Sequence, residues 1–354
     1  GGLKIQKHQN PPPPAGGALP PGARGGAPAR RGFHGCMDLI FSAFATLEGH
    51  RESAHPNQGR AVYDRGLVVA LASARACNPG CRVALVTNAP VPEPYAGQLA
   101  AAGVEVLRCP FDSFRFPADL PWSLAFYKLC ALRWVLAHTG CDRCLMLDAD
   151  TYTQRPLDDL WREADQAVLL YQVEHPASQP MAAAISRRAD ALDPAGAPHC
   201  LTHYGGELVA GRADRLRAFA DRCAAVYGEM TAAGVLPEEG DEAILAIAAW
   251  RSALAGEPVR SANAYLARYW LGARFYFVST GYCLTPLCVL HLPGQAKNRQ
   301  LLLLYRYYTR RGHFPPDRTV WRWCGLPAAR PPLLTTLFVL SLIHISEPTR
   351  LQLI

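Results

Sequence analysis

The sequence lacks an apolar run long enough to suggest a membrane anchor. The apolar stretch at residues 333–342 spans ten positions and includes two threonines and a serine. A transmembrane helix needs about 20 predominantly apolar residues. This stretch therefore does not predict a membrane-spanning segment.

A strong charge of one sign is also missing from the body of the chain. The formal net charge is +7, but residues 1–36 hold five basic residues and no acid. Residues 340–354 are neutral, which leaves only +2 for residues 37–339. Such a small excess does not indicate binding to a polyanion, so we expect no nucleic-acid partner.

Metal-type cysteine motifs are scarce, although the chain has 12 cysteines. Cys141 and Cys144 have a spacing found at zinc sites, but no second cysteine or histidine pair of suitable spacing accompanies them. No secretory signal is recognisable. We therefore expect buried thiols in a reducing compartment and a cytoplasmic location, rather than structural zinc.

The two ends of the sequence do not have the pattern of a packed fold. Residues 1–36 contain seven prolines and nine glycines. This segment has too few apolar side chains to offset the entropy cost of ordering it, so we expect a disordered or non-native leader. Residues 340–350 read LSLIHISEPTR, which is similar to the conceptual translation of a sequencing adapter. We interpret 340–354 as an adapter artefact. One domain at 37–311 and a C-terminal extension at 312–339 remain.

Strand and helix patterns alternate in the first part of this domain. The strand patterns lie at 37–45, 82–87, 104–107 and 144–147, and the helix patterns at 59–76, 92–102 and 123–137. This alternation predicts an α/β fold with a mostly parallel sheet and helices on both faces. The later patterns are less regular, with strands at 167–171, 203–210, 275–278 and 287–290 and helices at 212–233, 238–250 and 297–311.

Two aspartates directly follow the fourth strand pattern, in the stretch RCLMLDADTY. Asp148 and Asp150 fall on the same side of an extended chain, where their charges repel each other. Acids are common at strand ends, so the triplet alone is weak support for a site. In a parallel sheet, however, ligands bind beyond the carboxyl ends of the strands.

A third candidate metal ligand follows another apolar run late in the chain. His291 comes directly after residues 287–290 and is therefore also expected at a strand end. Carboxylates bind hard divalent cations, and Mn²⁺ also accepts imidazole. Asp148, Asp150 and His291 together predict a site for Mn²⁺ or Mg²⁺, whose charge would offset the repulsion between the aspartates.

The order of four motifs resembles glycosyltransferases of the GT-A fold, and most closely those of family 8. The motifs are LMLDADTYTQRPLDDLW at 145–161, YGGELV at 204–209, GDEAIL at 240–245 and HLPGQAK at 291–297. The resemblance covers roughly residues 37–300. It implies a GT-A (nucleotide-diphospho-sugar transferase) Rossmann-like fold and transfer of a sugar from a nucleoside diphosphate, with a UDP-sugar favoured, to an acceptor hydroxyl. A saccharide, a lipid and a protein all remain possible acceptors.

The resemblance also assigns donor contacts. It implies that His291 is the third metal ligand, that Lys297 contacts the diphosphate, and that Gly206 lies on the strand facing the sugar. Ser42 and Ala43 resemble the segment that receives the nucleotide, although core packing explains them equally well. Lys128 could approach the donor from the helix before the metal strand, but a solvated helix face explains it at least as well.

Three acids are candidates for the catalytic group near the anomeric carbon. Asp241 and Glu242 open a helix, where the dipole favours acids in any protein. Glu207 follows the glycine pair and is a further candidate. A carboxylate there could act as nucleophile in a retaining reaction or as base in an inverting one. The resemblance favours retention.

The motifs depart from the family pattern in two places. Tyr204 and Gly205 stand where an asparagine usually precedes the glycine of the sugar-facing strand. Asn298 and Arg299 stand where Pro-Trp often follows the late lysine. These departures leave the donor sugar open.

Two alternative functions and one alternative role of a helix remain. A sugar-nucleotide nucleotidyltransferase would carry a glycine-rich, basic loop after the first strand, whereas residues 47–51 contain a single glycine. A non-catalytic nucleotide-sugar-binding protein would not need the metal ligands. The basic, aromatic pattern at 297–311 predicts an amphipathic helix packed on the sheet, with peripheral membrane contact as the alternative.

Overall fold

The computed structural model describes residues 37–50, 59–119, 123–174, 179–236, 238–268 and 287–324. The strand predicted at 275–278, the leader and the segment 340–354 lie outside these residues. None of the described helices is both long and apolar enough to cross a membrane.

The first part of the described chain alternates between strands and helices, as predicted. The strands are β1 (Asp38–Phe44), β2 (Arg82–Thr87), β3 (Glu105–Arg108) and β4 (Arg143–Leu147). The helices are α1 (Arg60–Cys77), α2 (Tyr95–Ala101), α3 (Ser123–Phe126) and α4 (Lys128–His138). The single helix predicted at 123–137 is thus two, which meet at Tyr127. The hydroxyl of Tyr127 accepts a hydrogen bond from the amide of Phe116 at 3.0 Å.

The second part contains several elements that are too short for periodicity to reveal. Its strands are β5 (Thr151–Thr153), β6 (Val168–Gln172), β7 (Tyr204–Arg212), β8 (Val259–Ser261), β9 (Leu266–Arg268) and β10 (Val289–His291). Its helices are α5 (Asp158–Ala164), α6 (Gln179–Leu192), α7 (Ala213–Ala233), α8 (Asp241–Leu254), α9 (Gln300–Arg311) and α10 (Asp317–Cys324). Short 3-10 helices span Pro194–Gly196 and Gly294–Asn298.

A seven-stranded sheet forms the centre of the described structure. The strand order is β3-β2-β1-β4-β7-β6-β8. The pairs among β3, β2, β1 and β4 are parallel, whereas β7 runs antiparallel to both β4 and β6. The prediction of a mostly parallel sheet is confirmed, with β7 as the reversed strand.

Hydrophobic clusters cover both faces of this sheet. One face packs against α4, α7 and α8, with Phe126, Leu132 and Phe219 fully buried between the layers. The other packs against α1 and α5, through Leu67, Leu71 and neighbouring side chains. Burial of these apolar surfaces supplies the main driving force for the fold, and the predicted helix layers on both faces are confirmed.

A smaller sheet, in the order β5-β10-β9, lies beyond the end of β4. Strand β10 is antiparallel to β5 and parallel to β9. A third apolar cluster packs α9 and α10 next to it through Leu301, Leu304, Val320 and Cys324. Helix α9 is therefore amphipathic and packed on the fold, as predicted, and it ends at Gly312 in a left-handed conformation (φ 72°).

Candidate functional site

The backbone of the two sheets brings the predicted metal ligands together. Strand β4 ends at Leu147, and the chain turns through Asp148 and Asp150 into β5. The register of β5 with β10 places His291 opposite Thr151. The amide of Leu292 also donates to the carbonyl of Asp150 at 2.8 Å. Residues 141 positions apart in sequence therefore become neighbours through strand pairing.

One ligand atom from each of Asp148, Asp150 and His291 lies within 4.8 Å of the others. His291 Nε2 is 3.1 Å from Asp150 Oδ1 and 3.8 Å from Asp148 Oδ2. Asp150 and His291 are buried, and the Asp148 side chain is 23% exposed. Two carboxylates and one imidazole at these separations fit the donor set of a hard divalent cation such as Mn²⁺.

Two lysines flank the aspartates. Lys128 Nζ lies 2.8 Å from Asp148 Oδ1, and it also donates to the carbonyl of Gly206 at 2.9 Å. Lys297 Nζ lies 2.9 Å from Asp150 Oδ2 and 4.8 Å from the centre of the Tyr63 ring. Both lysines therefore lie where they could also bind the oxygens of a diphosphate.

Two of the candidate metal ligands, Asp150 and His291, have strongly shifted pKa values. Burial alone would raise the pKa of Asp150, but Lys297 and His291 outweigh it and the pKa is lowered far below its usual range. Burial alone would lower the pKa of His291, but Asp150 and Glu207 raise it to about 9. Because a metal ligand must be neutral imidazole, a bound cation would displace this proton.

Asp241 lies on the other side of Lys128. Its side chain is 5% exposed, and its Oδ2 is 3.2 Å from Lys128 Nζ. This oxygen accepts no hydrogen bond from the described residues. Burial raises the pKa of Asp241 to about 6, although Lys128 acts in the opposite direction. An acceptor that is buried without a hydrogen bond is available to a ligand hydroxyl.

Glu242 is held from two sides. Its Oε2 is 2.7 Å from His203 Nε2, and its Oε1 accepts from Arg268 Nη2 at 3.0 Å. The side chain remains 21% exposed. Burial acts to raise the pKa of Glu242, but His203 and Arg268 outweigh it and the pKa is lowered. Glu242 is thus an ionised carboxylate that His203 and Arg268 hold in a fixed orientation near the candidate metal ligands.

Glu207 is enclosed by other side chains. It is 1% exposed. Its two oxygens accept from Arg268 Nε at 2.5 Å and Nη2 at 2.6 Å. Its Oε1 is also 3.4 Å from His291 Nδ1. Contact between Glu207 and a substrate would require these partners to move.

Glycines let the charged groups approach closely. A Cβ on Gly206 would collide with the carboxylate of Asp241 and would lie 2.6 Å from Lys128 Nζ. A Cβ on Gly66, in α1, would lie 2.6 Å from the carbonyl oxygen of Ala149, between the two aspartates. The sequence thus provides space both for the charged cluster and for the loop that carries it.

The predicted nucleotide contacts are not drawn into the cluster. Ser42 pairs with Leu85 inside the sheet, is fully buried, and its hydroxyl has no hydrogen-bond partner among the described residues. Ala43 lies one position nearer the carboxyl end and is partly exposed. Of the two, Ala43 is the more accessible to a ligand.

The formal charges of the cluster leave room for a cation. Its five carboxylates face three permanent cations, so the excess is two negative charges when histidine is neutral. The acids are Asp148, Asp150, Glu207, Asp241 and Glu242, and the cations are Lys128, Arg268 and Lys297. A divalent ion would balance this excess.

Three residues of the cluster were not predicted from the sequence. Arg268 and His203 hold the candidate catalytic acids, and Tyr63 contacts Lys297. One signal was present, since Glu207 interrupts an otherwise apolar and glycine-containing strand and a buried acid requires a partner. No spacing rule, however, links it to an arginine 61 positions later.

Comparisons with known proteins show what the fold resembles. No protein-family profile and no curated protein sequence matches the chain. A structure of the galactosyltransferase LgtC with donor and acceptor sugar analogues is similar, with 17% identity and a TM-score of 0.51 over 81% of this chain and 100% of that one. An active-site mutant of LgtC gives 16% identity and a TM-score of 0.49 over the same shares. The similarity shows the fold: the chain has the GT-A fold, as predicted.

Proposed function

We propose that this protein is a metal-dependent glycosyltransferase that moves a sugar from a nucleoside-diphosphate sugar to an acceptor hydroxyl. The observation that carries the proposal is the meeting of Asp148, Asp150 and His291 within 4.8 Å at the end of β4. In a GT-A fold the carboxyl edge of the sheet is where a ligand is expected. A similar structure, LgtC, is described as a galactosyltransferase in complex with sugar analogues.

The proposed donor site binds the diphosphate through cations. A divalent ion held by the two aspartates and His291 would supply Lewis acidity to the departing diphosphate. Lys297 and Lys128 stay charged and add fixed positive charge near the same oxygens. Mn²⁺ is our preferred ion because one ligand is an imidazole, and a UDP-sugar is our preferred donor.

The candidate catalytic acids take different roles in this proposal. Asp241 accepts a hydrogen bond from a sugar hydroxyl through Oδ2, which forms an ion pair with Lys128 at 3.2 Å but accepts no hydrogen bond from the described residues. Glu242, ionised and fixed by His203 and Arg268, stabilises the positive charge that develops at the anomeric carbon. Glu207 contacts Arg268 and His291 and does not touch the donor in this proposal. We propose retention of configuration and a saccharide acceptor.

The proposed location is the cytoplasm, with peripheral contact at a membrane surface. Helices α9 and α10 form a groove of about 320 Å³ that presents three arginines and two aromatic rings. It is lined by Leu303, Arg306, Tyr307, Arg310, Arg311 and Trp323. Basic and aromatic side chains of this kind suit an anionic surface.

A thermal-shift screen tests the proposal directly. The full chain is heated with UDP-, GDP- and other nucleotide sugars, each with Mn²⁺ and with EDTA. We expect a nucleotide sugar to stabilise the chain only when Mn²⁺ is present, by about 2.7 kcal/mol beyond the effect of Mn²⁺ alone when the sugar is at 100 times its dissociation constant. No stabilisation by any nucleotide sugar would refute the proposal. Stabilisation without turnover would instead support a non-catalytic binding protein.

The metal role has its own test. Asp150→Asn keeps the shape of the side chain and removes its charge, so the variant should fold but lose metal-dependent hydrolysis of the donor by at least 100-fold. Activity, Mn²⁺ binding and unfolding temperature are measured together. Retained turnover in the folded variant would remove the metal from the reaction.

A further inference from the structure

A buried ion pair joins the metal ligands to the candidate catalytic acid. Glu207 and Arg268 form two hydrogen bonds, at 2.5 and 2.6 Å, and their side chains are 1% and 12% exposed. Two parallel hydrogen bonds between arginine and a carboxylate fix both groups in one plane. Glu207 lies on β7 and Arg268 on β9, so the pair connects the metal ligand His291 on one side with Glu242 on the other.

One end of the pair faces His291. Glu207 Oε1 lies 3.4 Å from His291 Nδ1, while Nε2 on the opposite side of the ring faces Asp150 at 3.1 Å. This contact is electrostatic, because Nδ1 makes no hydrogen bond with the described residues. A carboxylate beside the outer nitrogen of a ligating histidine favours the tautomer with its proton on that nitrogen and orients the ring. Glu207 is therefore in the position of a group that aims the ligand nitrogen at the cation.

The other end of the pair reaches Glu242. The Nη2 nitrogen of Arg268 donates to Glu207 and also, at 3.0 Å, to Glu242 Oε1. Arg268 also lies over the ring of Tyr171, 5.6 Å from its centre. These three contacts restrict the rotation of the guanidinium. Because Arg268 holds Glu207, which contacts His291, and also holds Glu242, it helps to fix the distance between His291 and Glu242.

The local sequence provides the space for this arrangement. A Cβ on Gly205 would collide with both the Glu207 carboxylate and Arg268 Nη2. Any larger residue at 205 would displace the ion pair. Gly205 lies in the segment where this sequence departs from the family 8 pattern. The same residue provides the space for the Glu207–Arg268 pair.

We propose that Glu207 and Arg268 are positioning residues that couple the metal site to Glu242, an inference that rests on the proposed function. Glu207 orients His291 for the cation, and Arg268 holds Glu207 and Glu242 in a fixed relation. Neither residue needs to touch the donor. The two arms make separate predictions, because one acts on metal affinity and the other on the catalytic step.

The metal arm is tested without substrate. Mn²⁺ binding to the full chain is measured by calorimetry or electron paramagnetic resonance for Glu207→Gln, Arg268→Gln and the double variant. Outer partners of metal ligands typically contribute 10- to 100-fold in affinity, so we expect at least a tenfold loss in each variant. The double variant removes both buried charges and keeps the measurement possible if a single variant unfolds. We expect its loss to be smaller than the product of the single losses.

A matched ion pair at the amino-terminal ends of the central strands β1 and β4 serves as control. Arg143 binds Asp38 through two hydrogen bonds, at 2.7 and 2.8 Å, with side chains 16% and 15% exposed. Arg143→Gln should lower the unfolding temperature and leave the Mn²⁺ affinity within twofold of the wild type. A folded Glu207→Gln/Arg268→Gln protein with wild-type Mn²⁺ affinity would overturn the metal arm.

The catalytic arm is tested at saturating Mn²⁺. Under these conditions Glu207→Gln should recover most of its kcat, because its defect is in metal binding. Arg268→Lys should remain at least tenfold lower in kcat, with KM for the donor little changed, because lysine cannot bridge both glutamates. Full recovery of Arg268→Lys would overturn the coupling to Glu242. If Asp150→Asn binds Mn²⁺ as tightly as the wild type, the proposed function itself fails, which is a different result from either of these.

Discussion

Removal of Lys128 should reveal how much the acidic cluster costs the fold. Its ammonium lies 2.8 Å from Asp148 and 3.2 Å from Asp241, and the side chain is 11% exposed. Lys128→Met keeps the length of the stem and removes the charge, so the two acids lose their shared partner. Breaking a buried pair in this way costs about 3–5 kcal/mol of unfolding free energy. We expect that loss at pH 8 in the absence of metal.

The cost should depend on pH in a definite direction. Burial raises the pKa of Asp241 to about 6, above its ordinary 3.8. Its protonation therefore stabilises the folded state, an effect fully present below about 3.8 and lost as the pH rises through 6. The difference corresponds to about 3 kcal/mol at 1.36 kcal/mol per pH unit. Without Lys128 the pKa of Asp241 should rise further, so the variant should be penalised less at pH 5 than at pH 8.

Urea unfolding in EDTA at both pH values measures this difference. An exposed pair provides the control, since Arg162 and Asp159 have side chains 77% and 70% exposed and Arg162→Met should cost at most about 1 kcal/mol at either pH. Added Mn²⁺ should restore part of the stability of Lys128→Met, because the cation replaces the missing charge. A loss below about 1 kcal/mol at pH 8, or an equal loss at both pH values, would refute the electrostatic account of the cluster.

Two further predictions concern the geometry of the metal site. His291→Ala should weaken Mn²⁺ binding at least tenfold in calorimetry, and an unchanged affinity would remove His291 from the site. Gly66→Ala should cost about 1–3 kcal/mol and weaken Mn²⁺ binding, because its Cβ would meet the carbonyl of Ala149. Gly228→Ala, where nothing lies within 4 Å of the new atom, should raise stability by about 0.4–1 kcal/mol and leave Mn²⁺ binding unchanged. Equal effects of the two glycine variants would contradict the packing argument.

The first half of the fold was predictable because buried parallel strands are continuous apolar runs. Strands β1, β2 and β4 are such runs, and turn residues bound the helices between them. The same logic placed Asp148 and Asp150 at a strand end. It did not give the direction of β7, because an apolar run carries no information on which way its strand runs in the sheet.

The small sheet shows where periodicity loses its power. Strands β5 and β9 of this sheet have three residues each, as does β8 at the edge of the large sheet. Three residues are too few for any alternation to be recognised. Helix α6 was missed as well, since only Ile185 and Ala189 are buried on it. Tertiary pairing, not local pattern, determines such elements. The pairing of β5 with β10 is also what brings His291 to the aspartates.

Buried charge explains why the rest of the site escaped prediction. A core residue is signalled by apolar neighbours, but Glu207 and Arg268 are buried because they neutralise each other across two strands. The gain of such a pair depends on both members being present. Glu207 is recognisable as an acid inside an apolar strand, but Arg268 carries no pattern that identifies it as the partner. Gly205 and Gly206 do not identify the pair either, because a glycine in a strand indicates a bulge as readily as the close approach of charged side chains. A charged residue inside an apolar strand therefore implies an oppositely charged partner elsewhere in the fold. That partner can lie anywhere in the chain, as Arg268 does relative to Glu207.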